Sequence, residues 1–309
     1  MLKGLAITPP VIGRISIGRV IERNGKRLPE KDDQFTLTSQ VQNRDGWALH
    51  PMDEALRESS GGKLRSIPVR LLFDDPGLNF RAWYTVFDRE TGRPACVGDG
   101  EACRRAGNGG VVALPCPGPD GCEFGQAGGC KPYGRLNVGV SLGAEDEDDL
   151  GSFIFRTASY NSIRTLSARL HYYRAVCGGH LASLPLELKL RGKSTTQSYR
   201  TPIYYVDLVS RGKLELAIQQ ARETHEQRQA VGFDQQALDL AARDALANGA
   251  FEDVSEDASE VVESLDMPGL SDEIPGEALP DASHADHSHA AKEKGTLREK
   301  LEHKARGTP

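Results

Sequence analysis

Five of the six cysteines, Cys96, Cys103, Cys116, Cys122 and Cys130, fall within 35 residues at spacings C-x6-C-x12-C-x5-C-x7-C. Thiolates are soft ligands, and zinc takes four of them tetrahedrally at roughly 2.3 Å from each sulfur. A chain wraps an ion most readily on turns without Cβ atoms. Here GDGE, GNGG, PGPDG and QAGG lie between successive thiols. The segment is also too poor in apolar residues to hold its own shape, so a metal would supply what a core does not. Cys116, Cys122 and Cys130 are close enough in sequence to converge, and Cys103 is the nearer upstream candidate. The expected zinc ligands are therefore Cys103, Cys116, Cys122 and Cys130, with Cys96 able to replace one of them. Disulfides and unrelated free thiols are the competing readings. A four-sulfur site has no position for a reactive water, so the expected zinc is structural.

Other chemistry-bearing patterns are weaker. Gly192-Lys193-Ser194-Thr195 resembles the end of a P-loop, but Glu187 stands where that motif needs its first glycine. A strand end is the better reading. His284-Ala-Asp-His-Ser-His289 has metal-binding residue types in an acidic extension, away from rigid elements that would pre-position a catalytic ion. His50, His171 and His180 are scattered and read as structural. No H-E-x-x-H or G-x-S-x-G is present, so no catalytic residue is assigned. Aromatic and basic residues interleave at Phe80-Arg81-Ala82-Trp83-Tyr84 and around Tyr204. Arg81, Trp83, Tyr84 and Tyr204 are thus the candidate nucleic-acid contacts, as stacking platforms for unpaired bases. The bland alternative is that half these rings face the core, as strand alternation requires.

The elements that must position these residues are mostly strands. Runs at 67–73 and 80–87 flank a turn-like DDPGLN. Runs at 135–142 and 151–157 flank the acidic AEDEDD and predict a hairpin, and those at 185–191 and 201–209 predict a second. One helix interrupts them, Ile163–Val176, capped by Asn161 or Ser162 and ended by Gly178-Gly179. Cys177, at its end, reads as a small buried hydrophobe. Beyond Gly212 the composition turns to Ala, Gln, Glu and Leu, predicting helices at 213–230 and 234–248. Residues 252–282 carry eleven acids and no Lys or Arg, a composition that cannot bury enough surface to fold alone. The net charge of −6 conceals a body, residues 1–251, of about +3.

The expected fold is α+β: mainly antiparallel β with one inserted helix and a zinc-stapled Cys/Gly-rich loop at 96–130, then a helical and disordered C-terminal extension. The expected domains are a mixed β domain at 1–211, a helical segment at 212–250 and a disordered acidic, His-containing tail at 251–309. No run approaches the roughly 20 apolar residues of a membrane span, and no secretory signal is evident at the N-terminus. A cytoplasmic protein is the expectation, without membrane partner or small-molecule substrate.

The order of features is a basic segment RISIGRVIERNGKRLPEKDDQFTLTS, then CVGDGEAC, PCP…C, CKPYGRLNVGVSL and GSFIFRTASYNSI. It resembles the recombination directionality factors of phages that encode large serine integrases, and their relatives on conjugative elements. The resemblance covers about residues 10–210 and is most specific at Lys26–Ser39 and Cys96–Asn137. It implies a non-catalytic accessory protein of DNA recombination that binds a recombinase (a serine integrase) and controls its direction or activity, with DNA a further partner. Arg14–Lys31 and the hairpin edges are the expected contact surfaces. The extension at 213–309 lies beyond the resemblance. Two alternatives stand beside this reading: a single-stranded DNA-binding module of a recombination operon, and a metal-dependent hydrolase, which would need an open site with His or carboxylate ligands.

Overall fold

The computed structural model describes residues 10–23, 26–43, 46–107, 109–141, 151–194 and 202–246. The acidic turn at 144–149 and the tail at 251–309 lie outside the described residues, and so do the side chains at 19–32.

Among the described residues, twelve strands form the framework: β1 Val11–Arg23, β2 Lys26–Asn43, β3 Gly46–Leu49, β4 Ser66–Arg70, β5 Phe80–Phe87, β6 Pro94–Gly98, β7 Ala102–Gly107, β8 Gly110–Pro115, β9 Lys131–Val140, β10 Ser152–Thr157, β11 Leu186–Lys193 and β12 Ile203–Ser210. Their order is β3-β2-β1-β10-β9-β5-β6-β7-β8, with β4 bridging the end of β9 to a β11–β12 pair. Every pairing is antiparallel except β1 with β10. The fold is therefore α+β with a mainly antiparallel sheet. Both expected hairpins form: Phe153 faces Val138 across β10 and β9, and Leu188 faces Leu208 across β11 and β12. Gly192 and Lys193 end β11, as the strand-end reading expects; Thr195 of the P-loop-like run lies outside the described residues.

The expectation of one inserted helix is corrected. Besides α4, Tyr160–Val176, the β framework is interrupted by α1 Pro51–Ser60 and by the short α2 Pro76–Asn79 and α3 Glu123–Gly128. Helix α1 escapes an apolar pattern because its anchor is polar. Buried Asp53 accepts the Leu37 N–H at 2.8 Å and the Arg57 Nε–H at 2.6 Å, and Arg57 in turn donates to the Phe35 carbonyl at 2.8 Å. Helix α4 begins three residues before Ile163, because Ser159, not Asn161 or Ser162, is its N-cap. Its face Leu166, Leu170 and Tyr173 is buried, and Cys177 just beyond is fully buried, as a small hydrophobe should be. That face packs with Phe35, Leu37, Leu136, Val138, Phe153 and Phe155 in the main core. Each such large apolar side chain contributes about 1.5–3 kcal/mol on burial.

The two helices of the extension form nearly where expected, α5 Leu214–Ala230 and α6 Gln235–Leu246. Ala217 and Ala221 seat α5 on the main core. Helix α6 joins a small satellite of Leu72, Phe73, Leu78 and Ala242. None of the described helices is long and apolar enough to cross a membrane.

Candidate metal centre and nucleic-acid surface

The cysteine-rich segment is a three-stranded meander rather than a loop. In it Cys96 pairs with Arg105, Gly98 with Cys103, and Cys103 with Leu114. Cys96 stands opposite Val86, on the face of β5 that carries the core residue Phe80. Cys116 follows β8 and is held by its N–H to the Glu101 carbonyl at 2.9 Å. Cys122 caps α3, its sulfur accepting the Gly125 N–H at 3.3 Å, and Cys130 ends the same turn with its N–H on the Gly125 carbonyl at 2.7 Å. Helix α3 lies against β5 so closely that a Cβ on Gly128 would sit 2.5 Å from Val86 Cγ1.

This arrangement gathers all five thiols. Val86, Cys96 and Cys103 are the buried centre of a cluster that Cys116 and Cys130 join. The Cys130 thiol is pushed up to about 11 by burial and then by its proximity to Cys96, Cys116, Cys122 and Cys103. Cys103 is likewise pushed up to about 11, first by burial, then by its hydrogen bond to Cys96 and by Cys116, with Arg105 opposing. Arg105 supplies the local positive charge: its guanidinium hydrogen-bonds Cys96, lies 3.6 Å from Cys122 Sγ and stacks on Phe124 at 4.0 Å. A neighbouring cation favours thiolates. Cys96 is thus as much part of the cluster as the four expected ligands.

The donor set fits zinc in type and surroundings. Gly98 leaves a cradle for Cys116, since a Cβ there would stand 2.8 Å from its sulfur. Among the described residues no three of these sulfurs lie within 4.8 Å of one another, whereas the members of a closed tetrahedron lie roughly 3.8 Å apart at the usual zinc–sulfur length. Among the described residues, only Asp74, His180 and His225 bring three such ligand atoms within 4.8 Å of one another. Sequence reasoning passed over this second group. Its one readable signal is that His225 follows Ala217 and Ala221 at four-residue steps, on the helix face that turns inward.

The four expected nucleic-acid contacts do not form one patch. Arg81 and Trp83 share one face of β5, while Tyr84 faces the other way, toward the thiols: burial, then Tyr160, Asp120, Cys116 and Cys130 raise its hydroxyl above the ordinary range. Tyr204 lies on β12, opposite Gly192. Trp83 is 40 % exposed but Arg81 is only 7 % exposed. Arg81 belongs to a cross-strand row with Arg135 and Arg156. Burial, with those two guanidiniums alongside, pulls Arg135 down to about 9. Arg14, expected on an open contact surface, is also buried: it stacks on Trp47 at 3.4 Å and donates to Gln40 at 3.2 Å.

A surface that alternation did not reveal is the outer strand. β8 ends the sheet order, exposes all six of its residues and carries Val111, Val112 and Leu114 on that edge.

Compared with known proteins, residues 12–211 match the model of the recombination directionality factor-like (Gp3-like) family. No curated protein and no solved structure matches. The match spans β1 to β12 and all five clustered cysteines, and the chain belongs to this family.

Proposed function

We propose that this protein is a non-catalytic accessory factor that binds a DNA recombinase, a serine integrase, and sets the direction or activity of recombination on a mobile element. Family membership across the whole β framework carries the reading. The exposed outer strand β8 supports the reading as a surface on which a partner could dock. An edge strand presents a row of backbone N–H and C=O groups that a partner's strand can pair. β8 adds exposed valines to that row, and its partner β7 carries Cys103. The thiol cluster would then hold the β6–β8 meander in the shape that the recombinase recognises. We propose that the cluster does so by binding a structural zinc ion through four of Cys96, Cys103, Cys116, Cys122 and Cys130. Zinc would join strands that bury only a small apolar satellite of their own.

The direct test adds the purified protein to the serine integrase of the same element and DNA carrying the two ends of the inserted element. Excision that depends on the protein, lost on zinc chelation, is the expected result. An integrase whose products are unchanged at saturating protein refutes the reading. The single-strand reading keeps one favourable observation, the half-exposed Trp83 beside an arginine row. It requires oligonucleotide affinity that falls steeply with salt and weakens in Trp83→Ala.

A further inference from the structure

We propose that Asp74, His180 and His225 form a second metal site, distinct from the thiol cluster, which takes a zinc-class divalent cation and bolts the helical extension to the family domain. The three residues come from distant parts of the chain. Asp74 sits in the segment after β4, which Asn79 staples: its side chain accepts from Leu72 N at 3.0 Å and Phe73 N at 3.1 Å, and donates to the Phe73 and Asp75 carbonyls at 2.7 and 2.9 Å. One oxygen of Asp74 accepts the Ala182 N–H at 2.7 Å, which ties it to the turn carrying His180. His180 reaches that place because Gly178 and Gly179 take φ of 68° and 93° after α4. His225 lies on α5, one turn beyond buried Ala221.

The imidazole centroids stand 4.0 Å apart, tilted by 34°, and one ligand atom from each of the three residues lies within 4.8 Å of the others. All three are half-buried. Two imidazoles and a carboxylate are the ligand types of open zinc sites, bound at about 2.0–2.2 Å. Tetrahedral ligands at that length lie roughly 3.4 Å apart, so side-chain adjustments of about an ångström close the site. Burial, His225 and Arg222 disfavour positive charge at His180, and Asp74 and Glu226 partly offset them, with the imidazole held below its usual range. Three protein ligands leave a fourth position for water. His225 lies outside the matched residues 12–211, so the site belongs to the extended form of the chain. Its consequence is that α5 docks more firmly when metal is present.

The test uses the full-length chain with His284, His287, His289 and His303 replaced by Ala, so that the tail contributes no imidazole. Cobalt loading after dialysis is measured in this background and in His225→Gln and Asp74→Asn, with circular dichroism confirming the fold. Asp74→Asn keeps an oxygen for the Ala182 N–H. Each variant should bind one equivalent fewer than the background, and that equivalent should show cobalt d–d bands without sulfur-to-metal charge transfer. Zinc should raise the melting temperature of the background by more than that of either variant. Equal loading in background and variants, or a loss in only one of the two, overturns the proposal. Charge transfer reports the thiol cluster separately, so failure there leaves the difference in loading readable.

Discussion

Replacing Gly98 with Ala separates thiols that hold a metal from thiols that merely pack. The added Cβ would stand 2.7 Å from Cys103 Cβ, 2.8 Å from Cys116 Sγ and 3.0 Å from the Ala102 carbonyl. Ordinary carbon contacts are about 3.5–4.0 Å, so Cys103 and Cys116 must each retreat by about an ångström. Cys103 is held in register opposite Gly98, and most of the movement falls on Cys116. Overpacking of this kind costs about 1–3 kcal/mol. Metal sites tolerate errors of about 0.2 Å in ligand distance, so the same displacement acts on zinc. If Cys116 is a ligand, the cost appears as roughly tenfold to a hundredfold weaker zinc affinity. The assay is competition for zinc against a chromophoric chelator at fixed pH, run with thermal melting. Gly109→Ala is the control, since nothing lies within 4 Å of its added Cβ. Wild-type zinc affinity in Gly98→Ala, with Gly109→Ala also unchanged, refutes the assignment of Cys116 and the packing argument beneath it.

Three further outcomes follow from the same contacts. Val112→Asp places a charge on a side chain that is 52 % exposed; stability should move by no more than about 0.5 kcal/mol, while capture of the recombinase in a pull-down is lost. Asp53→Ala leaves the buried Leu37 N–H without its acceptor and takes the carboxylate from Arg57, which keeps the Phe35 carbonyl and Gln34; urea unfolding should show a loss of about 1–3 kcal/mol. Asp207→Asn weakens the link between α4 and the β11–β12 pair, where Arg169 Nε lies at 2.9 Å and Arg191 Nε at 3.2 Å. Both arginines are half-exposed, which limits the expected loss in the same assay to about 1–2 kcal/mol.

The parts of the fold that were legible in sequence are those whose cause is local. β9 with β10, and β11 with β12, alternate cleanly around polar turns, and α5 and α6 follow composition up to the break at Gly232. What was not legible depends on distant partners. Helix α1 has one buried leucine, Leu56, and is fixed through Asp53 by a backbone N–H of β2. The glycines of β6 to β8 hid a meander, because short strands at a sheet end tolerate residues with no strand preference. For the site, spacing pointed to the thiols, with Cys96 as a replacement for one of the four, but it did not give the register that sets Cys96 beside Arg105. Trp83 and Tyr84, as neighbours on one strand, had to face opposite ways. That division was available from the sequence, and the burial of Arg81 within a row of arginines was not.

The thiol cluster sits where the hydrophobic core is thin, whereas Asp74, His180 and His225 lie at the margin of the main core, with Leu181 and Ala221 near in sequence. The main core runs from Phe35 and Leu37 through Phe153 and Phe155 to α4, and reaches α5 through buried Ala217 and Ala221, with Leu214 and Ile218 packed against it. Outward along the sheet it gives way to Val86, Cys96 and Cys103. Helix α6 rests through Ala242 on Leu72, Phe73 and Leu78, and on hydrogen bonds from Gln235 to the Leu72 carbonyl and from Asp75 N to Asp239. A three-residue apolar satellite buries too little to fix a long meander against the entropy of ordering it, about 1–2 kcal/mol per residue for the backbone alone. Backbone pairing supplies part of the difference, and a cross-link among segments distant in sequence supplies the rest most economically. With metal bound as proposed, thiols at five points of the β6–β8 and α3 region, and Asp74, His180 and His225 at three points around α5, would provide such cross-links. In the proposed reading, each cluster joins elements whose mutual position a recombinase would recognise.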